Sequence, residues 1–360
     1  MTIRVFAIAV ALCGLADHVH AQWTVTNLHP SGISFTAAQS YAGGVHGSEQ
    51  AGGAYIGGHL RAGIWNGTAG SWNDITPAAA TDGTLNAVHS GRQGGFVDFN
   101  GVDNASLWSG TAASWVNLHP AGAESSRVFG MDGTHQVGYT RINGNLHACL
   151  WSGAAGTWVD LTPAGSTLAV AVSVDQGQQV GYSFHNAVQR ASLWSGTAAS
   201  WQDLSPAGAT GSLANAIYGG MQGGSAAFNA SFDHRAGIWF GTAASWVDLH
   251  PIAVGESTIL AMYDQWQVGW VDGYASIWNG SAASWENLHS YLDGQWQQSS
   301  ATGVWADNTH IYVSGWGFNS ITNRNEALLW SRPINVPEPS AGLLLAPALA
   351  VLIGGRRRLN

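Results

Sequence analysis

Apolar and polar positions along this chain alternate in short bursts. Outside the two ends, no segment carries a 3.6-residue apolar period. Runs of four to eight residues, rich in β-branched and aromatic side chains, are broken by Gly, Pro, Asn and Asp, which predicts short strands joined by tight turns. The bursts recur. Trp65, Trp108, Trp151 and Trp194 lie 43 residues apart, and Trp239, Trp278 and Trp330 continue at spacings of 45, 39 and 52. Seven residues after each of the first six comes a second Trp: Trp72, Trp115, Trp158, Trp201, Trp246 and Trp285. One unit reads Ala105-Ser106-Leu107-Trp108-Ser109-Gly110-Thr111-Ala112-Ala113-Ser114-Trp115-Val116-Asn117-Leu118-His119-Pro120.

Each unit parses into four strands. Ala-Ser-Leu-Trp is a short apolar strand, Ser-Gly-Thr-Ala-Ala-Ser a turn-rich connection, and Trp-Val-Asx-Leu a second strand stopped by Pro. A weaker third strand falls near Ala169 to Val174, and Gln136-Val137-Gly138-Tyr139, Gln179-Val180-Gly181-Tyr182 and Gln267-Val268-Gly269-Trp270 mark a fourth. Four short strands per ~43 residues is the size of a β-propeller blade. The body starts on a second-strand piece, Asn27-Leu28-His29-Pro30, and ends on a first-strand piece, Ala327-Leu328-Leu329-Trp330. In a closed ring these halves meet and complete one blade. An open array would instead expose sheet edges and need polar capping repeats. The expected fold is therefore all-β, a seven-bladed propeller with its N- and C-terminal strands sharing a blade. Trp23 sits two residues earlier than this pattern requires.

The period suits WD40-like blades, but the Gly-His and Trp-Asp signatures are absent. The Leu-Trp-Ser-Gly, Asp-Leu and Val-Gly-Tyr elements resemble the bacterial extracellular HAF repeats over nearly the whole body. That resemblance implies a fold and an extracellular location and says almost nothing about activity.

Both ends read as targeting segments. Residues 1–21 carry Arg4, an apolar run from Val5 to Leu15, and Val19-His20-Ala21, which predicts a secretory signal cut between Ala21 and Gln22. A lipoprotein signal at Cys13 would want a smaller residue than Leu12. Residues 22–332 form the repeat body and 333–360 a tail. In the tail, Val336-Pro337-Glu338-Pro339 precedes an apolar stretch from Ala341 to Ile353 and then Arg356-Arg357-Arg358. The stretch is short against the ~20 residues of a full span and carries Pro347, so it predicts a short transmembrane helix with the Arg cluster cytoplasmic. An ordinary C-terminal anchor has the same parts. Their order resembles the PEP-CTERM sorting signal of Gram-negative bacteria. That resemblance implies an exosortase partner after Sec export and signal-peptidase cleavage, a cut near the Pro-Glu-Pro motif, and an association with exopolysaccharide. The final location would be the cell surface or outside.

Composition narrows the chemistry. Only 9% of residues are charged, the formal net charge is −9, and all twelve basic residues are Arg. The absence of Lys removes Schiff-base and P-loop lysine chemistry. Four of the twelve Arg (Arg4, Arg356, Arg357, Arg358) lie in the terminal segments, so the body has no basic stripe for nucleic acid. The two cysteines, Cys13 and Cys149, cannot form a disulfide once the signal is removed. Cys149 sits in a strand-like setting and reads as a buried, inert thiol.

Recurrent Trp residues are expected to pack between blades, because every blade needs the same contact. The Trp residues that break the repeat, Trp266, Trp270, Trp296, Trp305 and Trp316, are the better candidates for stacking on a sugar face. The Asx two residues after the second Trp (Asp74, Asn117, Asp160, Asp203, Asp248, Asn287, with Asn27 by alignment) suits a turn bond better than a cation-holding ring. His29, His119, His250 and His289 alternate with Thr76, Thr162 and Ser205 before the Pro, which asks for a small polar group and not a metal ligand. No metal, no cofactor and no catalytic residue is assigned: the Gly-x-Ser-x-Gly and His-Glu-x-x-His signatures are missing. The first functional expectation is a non-catalytic exported surface or matrix protein. A lectin-like carbohydrate-binding propeller and a secreted propeller hydrolase or lyase are the alternatives.

Overall fold

The computed structural model describes residues 22–31, 39–229, 231, 233–251 and 255–334. They form seven four-stranded antiparallel sheets, the blades of a propeller. In blade 4, from the axis outward, the strands are Leu168–Asp175, Gln178–His185, Val188–Trp194 and Gln202–Asp203. The weak strand expected near Ala169 is thus innermost, Gln-Val-Gly-Tyr comes next, and the Ala-Ser-Leu-Trp strand with its Asx partner completes the outer half. Each Ser-Gly-Thr-Ala-Ala-Ser segment is one 3-10 turn. In blade 2, Ser114 Oγ accepts from Ser109 N at 2.8 Å and donates to Thr111 O at 2.6 Å.

The ring closes as the two half-units predict. Thr24–Asn27 is the outer strand of blade 7 and pairs antiparallel with Arg324–Pro333, from Thr24 opposite Ser331 to Asn27 opposite Leu328. Trp23 departs from the repeat because it packs toward blade 6. Its Nε1 donates to Glu286 Oε1 at 3.0 Å, and the Arg332 guanidinium lies 4.5 Å from its ring centroid.

One apolar cluster fills each of the seven seams between blades. Each is built on the first Trp of a blade and the Leu or Ile after the Asx of the blade before. Trp108 with Ile75 and Trp151 with Leu118 are examples, all four fully buried. The second Trp of each pair is half-buried at the rim of its cluster. In blades 2, 4 and 6 its Nε1 donates to a buried Ser: Ser106, Ser192 or Ser276. Cys149 stands at that Ser position in blade 3. Burial raises its thiol to about 12 despite a contact with Thr140, so the thiol stays protonated and inert.

Recurrent polar residues fix each blade and then its seam. Gln50, Gln93, Gln136, Gln179, Gln222 and Gln267 are buried, and each Oε1 accepts from the Gly of the following Ser-Gly-Thr turn or its equivalent, at 2.7–2.8 Å. All seven Asx side chains accept from the N–H two residues on, so this position is a local turn bond on the outer strand. The residue two places after the Asx reaches across the seam. Ser40 Oγ accepts from Ala327 N and shares a hydrogen bond of 2.8 Å with His29 Nδ1. His119, His250 and His289 make the same bond to Ser126, Ser257 and Ser299.

These histidines give a pH dependence. Burial, then the nearby Arg324, pushes His29 down to about 4, and burial also lowers His119 and His289. A depressed imidazole leaves the folded state with fewer bound protons than the unfolded chain below pH ~6.5. Their contribution is therefore complete above ~6.5 and is lost as pH falls toward 4. The urea midpoint is expected to drop between pH 7 and pH 4.5, and less steeply in His29→Gln, which keeps an acceptor for Ser40. Equal slopes for the two proteins would contradict this assignment.

The expected signal segment with Ala21, the sorting motif Val336, Pro337, Glu338 and Pro339, the apolar tail and Arg356, Arg357 and Arg358 lie outside the described residues. No helix among the described residues is long and apolar enough to cross a membrane.

Candidate functional site

Every inner strand carries a one-residue bulge at the same height: Gly43, Asn86, Phe129, Val172, Asn215, Leu260 and Thr302. A bulge bends and twists the strand. Opposite it, the Gly of Gln-Val-Gly-Tyr lets the second strand approach closely. Where the bulge residue is polar it bonds to the next blade: Asn86 donates to Val128 O, Asn215 to Ile259 O and Thr302 to Ala42 O. These segments from all seven blades line an axial recess of about 180 Å³.

Three residues past each bulge the inner strand reaches the mouth of this recess, and here the repeat stops repeating. The seven equivalent positions are His46, His89, Asp132, Asp175, Tyr218, Tyr263 and Trp305, all half-buried. Five of them form an unbroken arc over five consecutive blades. Ring centroids are 4.8 Å apart for Tyr218–Tyr263, 6.1 Å for Tyr263–Trp305, 5.7 Å for Trp305–His46 and 4.7 Å for His46–His89. The other two close the collar with carboxylates. Asp175 Oδ2 accepts from Gly219 N at 2.7 Å, and Asp132 Oδ1 accepts from Thr134 N and His135 N.

Burial keeps two members of the arc, His46 and Tyr218, uncharged. Burial, then the neighbouring His89, lowers the pKa of His46, so its imidazole is neutral at pH 7. Burial, then Tyr263, raises that of Tyr218, with Asp264 and Asp175 adding to the effect. The collar thus offers flat apolar rings on one side and hydrogen-bond acceptors on the other. No group of three or more His, Cys, Asp or Glu able to hold a metal occurs among the described residues.

The five candidate Trp residues do not converge. Trp305 belongs to the collar. Trp266 lies at the same end, as the cross-strand partner of Tyr263, and packs in the seam between blades 6 and 7 with Arg332 5.9 Å from its centroid. Trp270 and Trp316 take the Tyr position of the second strand, farther from the collar, where Trp316 meets Tyr41 edge-on at 6.2 Å. Trp296 starts the inner strand of blade 7 at the opposite end and is buried. Sequence reasoning missed His46, His89, Tyr218 and Tyr263. The usable signal was positional: the collar residue stands four places before the buried Gln in each of the first six blades.

No family model matches the chain, and no curated protein matches it significantly. Solved structures do. The β-propeller domain of the Trilobed protease from Pyrococcus furiosus, described as having an open velcro topology, aligns with a TM-score of 0.55 at 9% identity over 84% of this chain and 97% of that one. A puromycin hydrolase S511A mutant complexed with PGG gives 0.52 at 10% identity over 81% and 53%. The extracellular domain of a B. thetaiotaomicron one-component system gives 0.50 at 7% identity over 84% and 39%. The chain therefore spans about half of the hydrolase and less of the third protein. At such identities the likeness establishes the seven-bladed fold alone. In this chain the strand Thr24–Asn27 closes the ring.

Proposed function

We propose that this chain is an exported, non-catalytic propeller that holds an extracellular polysaccharide against the collar. The observation that carries the reading is the aromatic arc. Elsewhere the blades repeat Trp, Gln, Gly and Ser at equivalent heights, as shared packing requires. Among the described residues, the collar is where an arc of ring contacts over five consecutive blades meets unequal polar partners. Flat rings match the C–H faces of sugars, while Tyr hydroxyls, imidazole nitrogens and carboxylates match their hydroxyl edges. The signal segment and the Pro-Glu-Pro tail support delivery to the cell exterior, where exopolysaccharide is the available polymer, with exosortase processing as the proposed route.

The test is co-sedimentation of residues 22–334 with exopolysaccharide from the producing cells. Binding is expected, and Trp305→Ala or Tyr263→Ala is expected to weaken it about tenfold or more, equivalent to ~1.4 kcal/mol, with the thermal midpoint preserved. No sedimentation at any protein concentration would refute the reading.

A further inference from the structure

Blade 7 is unlike the other six at the collar end. Eight residues separate Val304 from its partner Val313, whereas four separate the equivalent Val45 and Gln50 in blade 1. The longer hairpin overhangs blade 1 and walls a recess of about 220 Å³ between the two blades. One wall is made of the cross-strand neighbours Trp305 and Tyr312, stacked at 29° with centroids 5.9 Å apart, and Leu329 also lines the recess. The polar lining comes from Ser48, Asn66, Asp307 and Gln50, whose Nε2 already donates to Ser48 O and whose Oε1 accepts from Gly67 N.

We propose that this recess is a binding site for one neutral hexopyranose ring, the primary subsite from which a polysaccharide would run on along the aromatic arc. The inference rests on the glycan-binding reading and names its ligand class. The volume suits a single pyranose, and further sugars of a chain would lie outside it on the arc. The aromatic wall faces polar groups with capacity to spare. The Ser48 hydroxyl, the Asn66 amide and the second carboxylate oxygen of Asp307 make no hydrogen bond to other described residues. The first Asp307 oxygen is already used by Thr309 and His310, which fixes the carboxylate at the rim. A carboxylate accepts from sugar hydroxyls and repels an anionic ring. Since no Arg lines the recess, uronic acids and sulfated sugars are rejected.

The experiment titrates residues 22–334 with methyl glucopyranoside, methyl galactopyranoside, methyl mannopyranoside and methyl glucuronide, following Trp fluorescence and ligand-observed NMR. At least one neutral glycoside is expected to bind, the glucuronide about tenfold more weakly or not at all. Trp305→Ala and Asn66→Ala are expected to cut the affinity about tenfold and about fivefold. Tyr218→Ala, in the arc but outside the recess, is expected to leave glycoside affinity unchanged while lowering polysaccharide binding. Polysaccharide binding without any neutral-glycoside binding, or with equal affinity in Asn66→Ala, overturns the recess and leaves the collar reading intact. Failure of both polymer and glycosides overturns both.

Discussion

Removal of residues 22–31 is expected to abolish cooperative folding. Those ten residues supply the outer strand of blade 7, the fully buried Leu28 and the nearly buried Trp23. They also supply Asn27, whose Nδ2 donates at 2.7 Å to Glu326, and His29, which bonds Ser40 across the seam with blade 1. Glu326 is itself buried. Burial alone would raise its pKa, but hydrogen bonds from Arg324, Asn27 and Thr322 outweigh that and hold it lowered and ionised. Losing Asn27 weakens the support of a buried charge, and losing two large core side chains costs ~2–5 kcal/mol each. The sum is comparable to the whole stability of a typical domain, ~5–15 kcal/mol. A permutant tests the cause directly. With residues 22–31 joined after Ile334 by a short Gly-Ser linker, blade 7 acquires the third-to-outer strand connection of the other six. That permutant is expected to unfold cooperatively, close to the parent midpoint. A truncated chain with a near-parental midpoint would show that the terminal strand does not hold the ring.

The second large effect is expected from one methyl group. In all seven blades the Gly of the second strand faces the backbone beside the bulge. A Cβ at Gly181 would stand 2.0 Å from Val170 O, and at Gly138 1.8 Å from Arg127 O. The obstacle is a carbonyl within the sheet, so relief requires separating two paired strands. Gly181→Ala is expected to destabilise by more than the ~1–3 kcal/mol usual for overpacking. Gly156→Ala is the control. It lies in the 3-10 turn of blade 3, where a Cβ meets nothing within 4 Å and blade 2 carries Ala113. It should be neutral or stabilising by ~0.4–1 kcal/mol. Urea midpoints of the two variants measure the contrast, and similar values for both would remove the close-approach explanation.

The same comparison shows which features were legible in the sequence. Packing residues recur because each seam poses the same problem, so Trp108, Gln136 and Gly181 advertise themselves by period. Closure was legible because the half-units at Asn27 and Trp330 complement each other. The bulges were not, since Gly43, Phe129, Asn215 and Leu260 share no side-chain chemistry. A bulge is a backbone event, and its trace lies in the partner Gly. The collar was hidden for the converse reason. Its residues differ from blade to blade, and only their distance from the buried Gln unites them. Trp305 stood out for being a Trp, whereas His46 and Tyr263 had no such mark. Rarity alone also drew attention to Trp296, which the fold buries.

Hydrogen exchange on residues 22–334, with and without saturating exopolysaccharide, tests the location of the site most directly. Slowed exchange is expected in the hairpins carrying the collar, at residues 46–49, 218–221, 263–266 and 305–312, with the opposite face around 99–102 and 142–145 unchanged. Protection confined to that opposite face, or spread evenly over all seven blades, would contradict a binding collar.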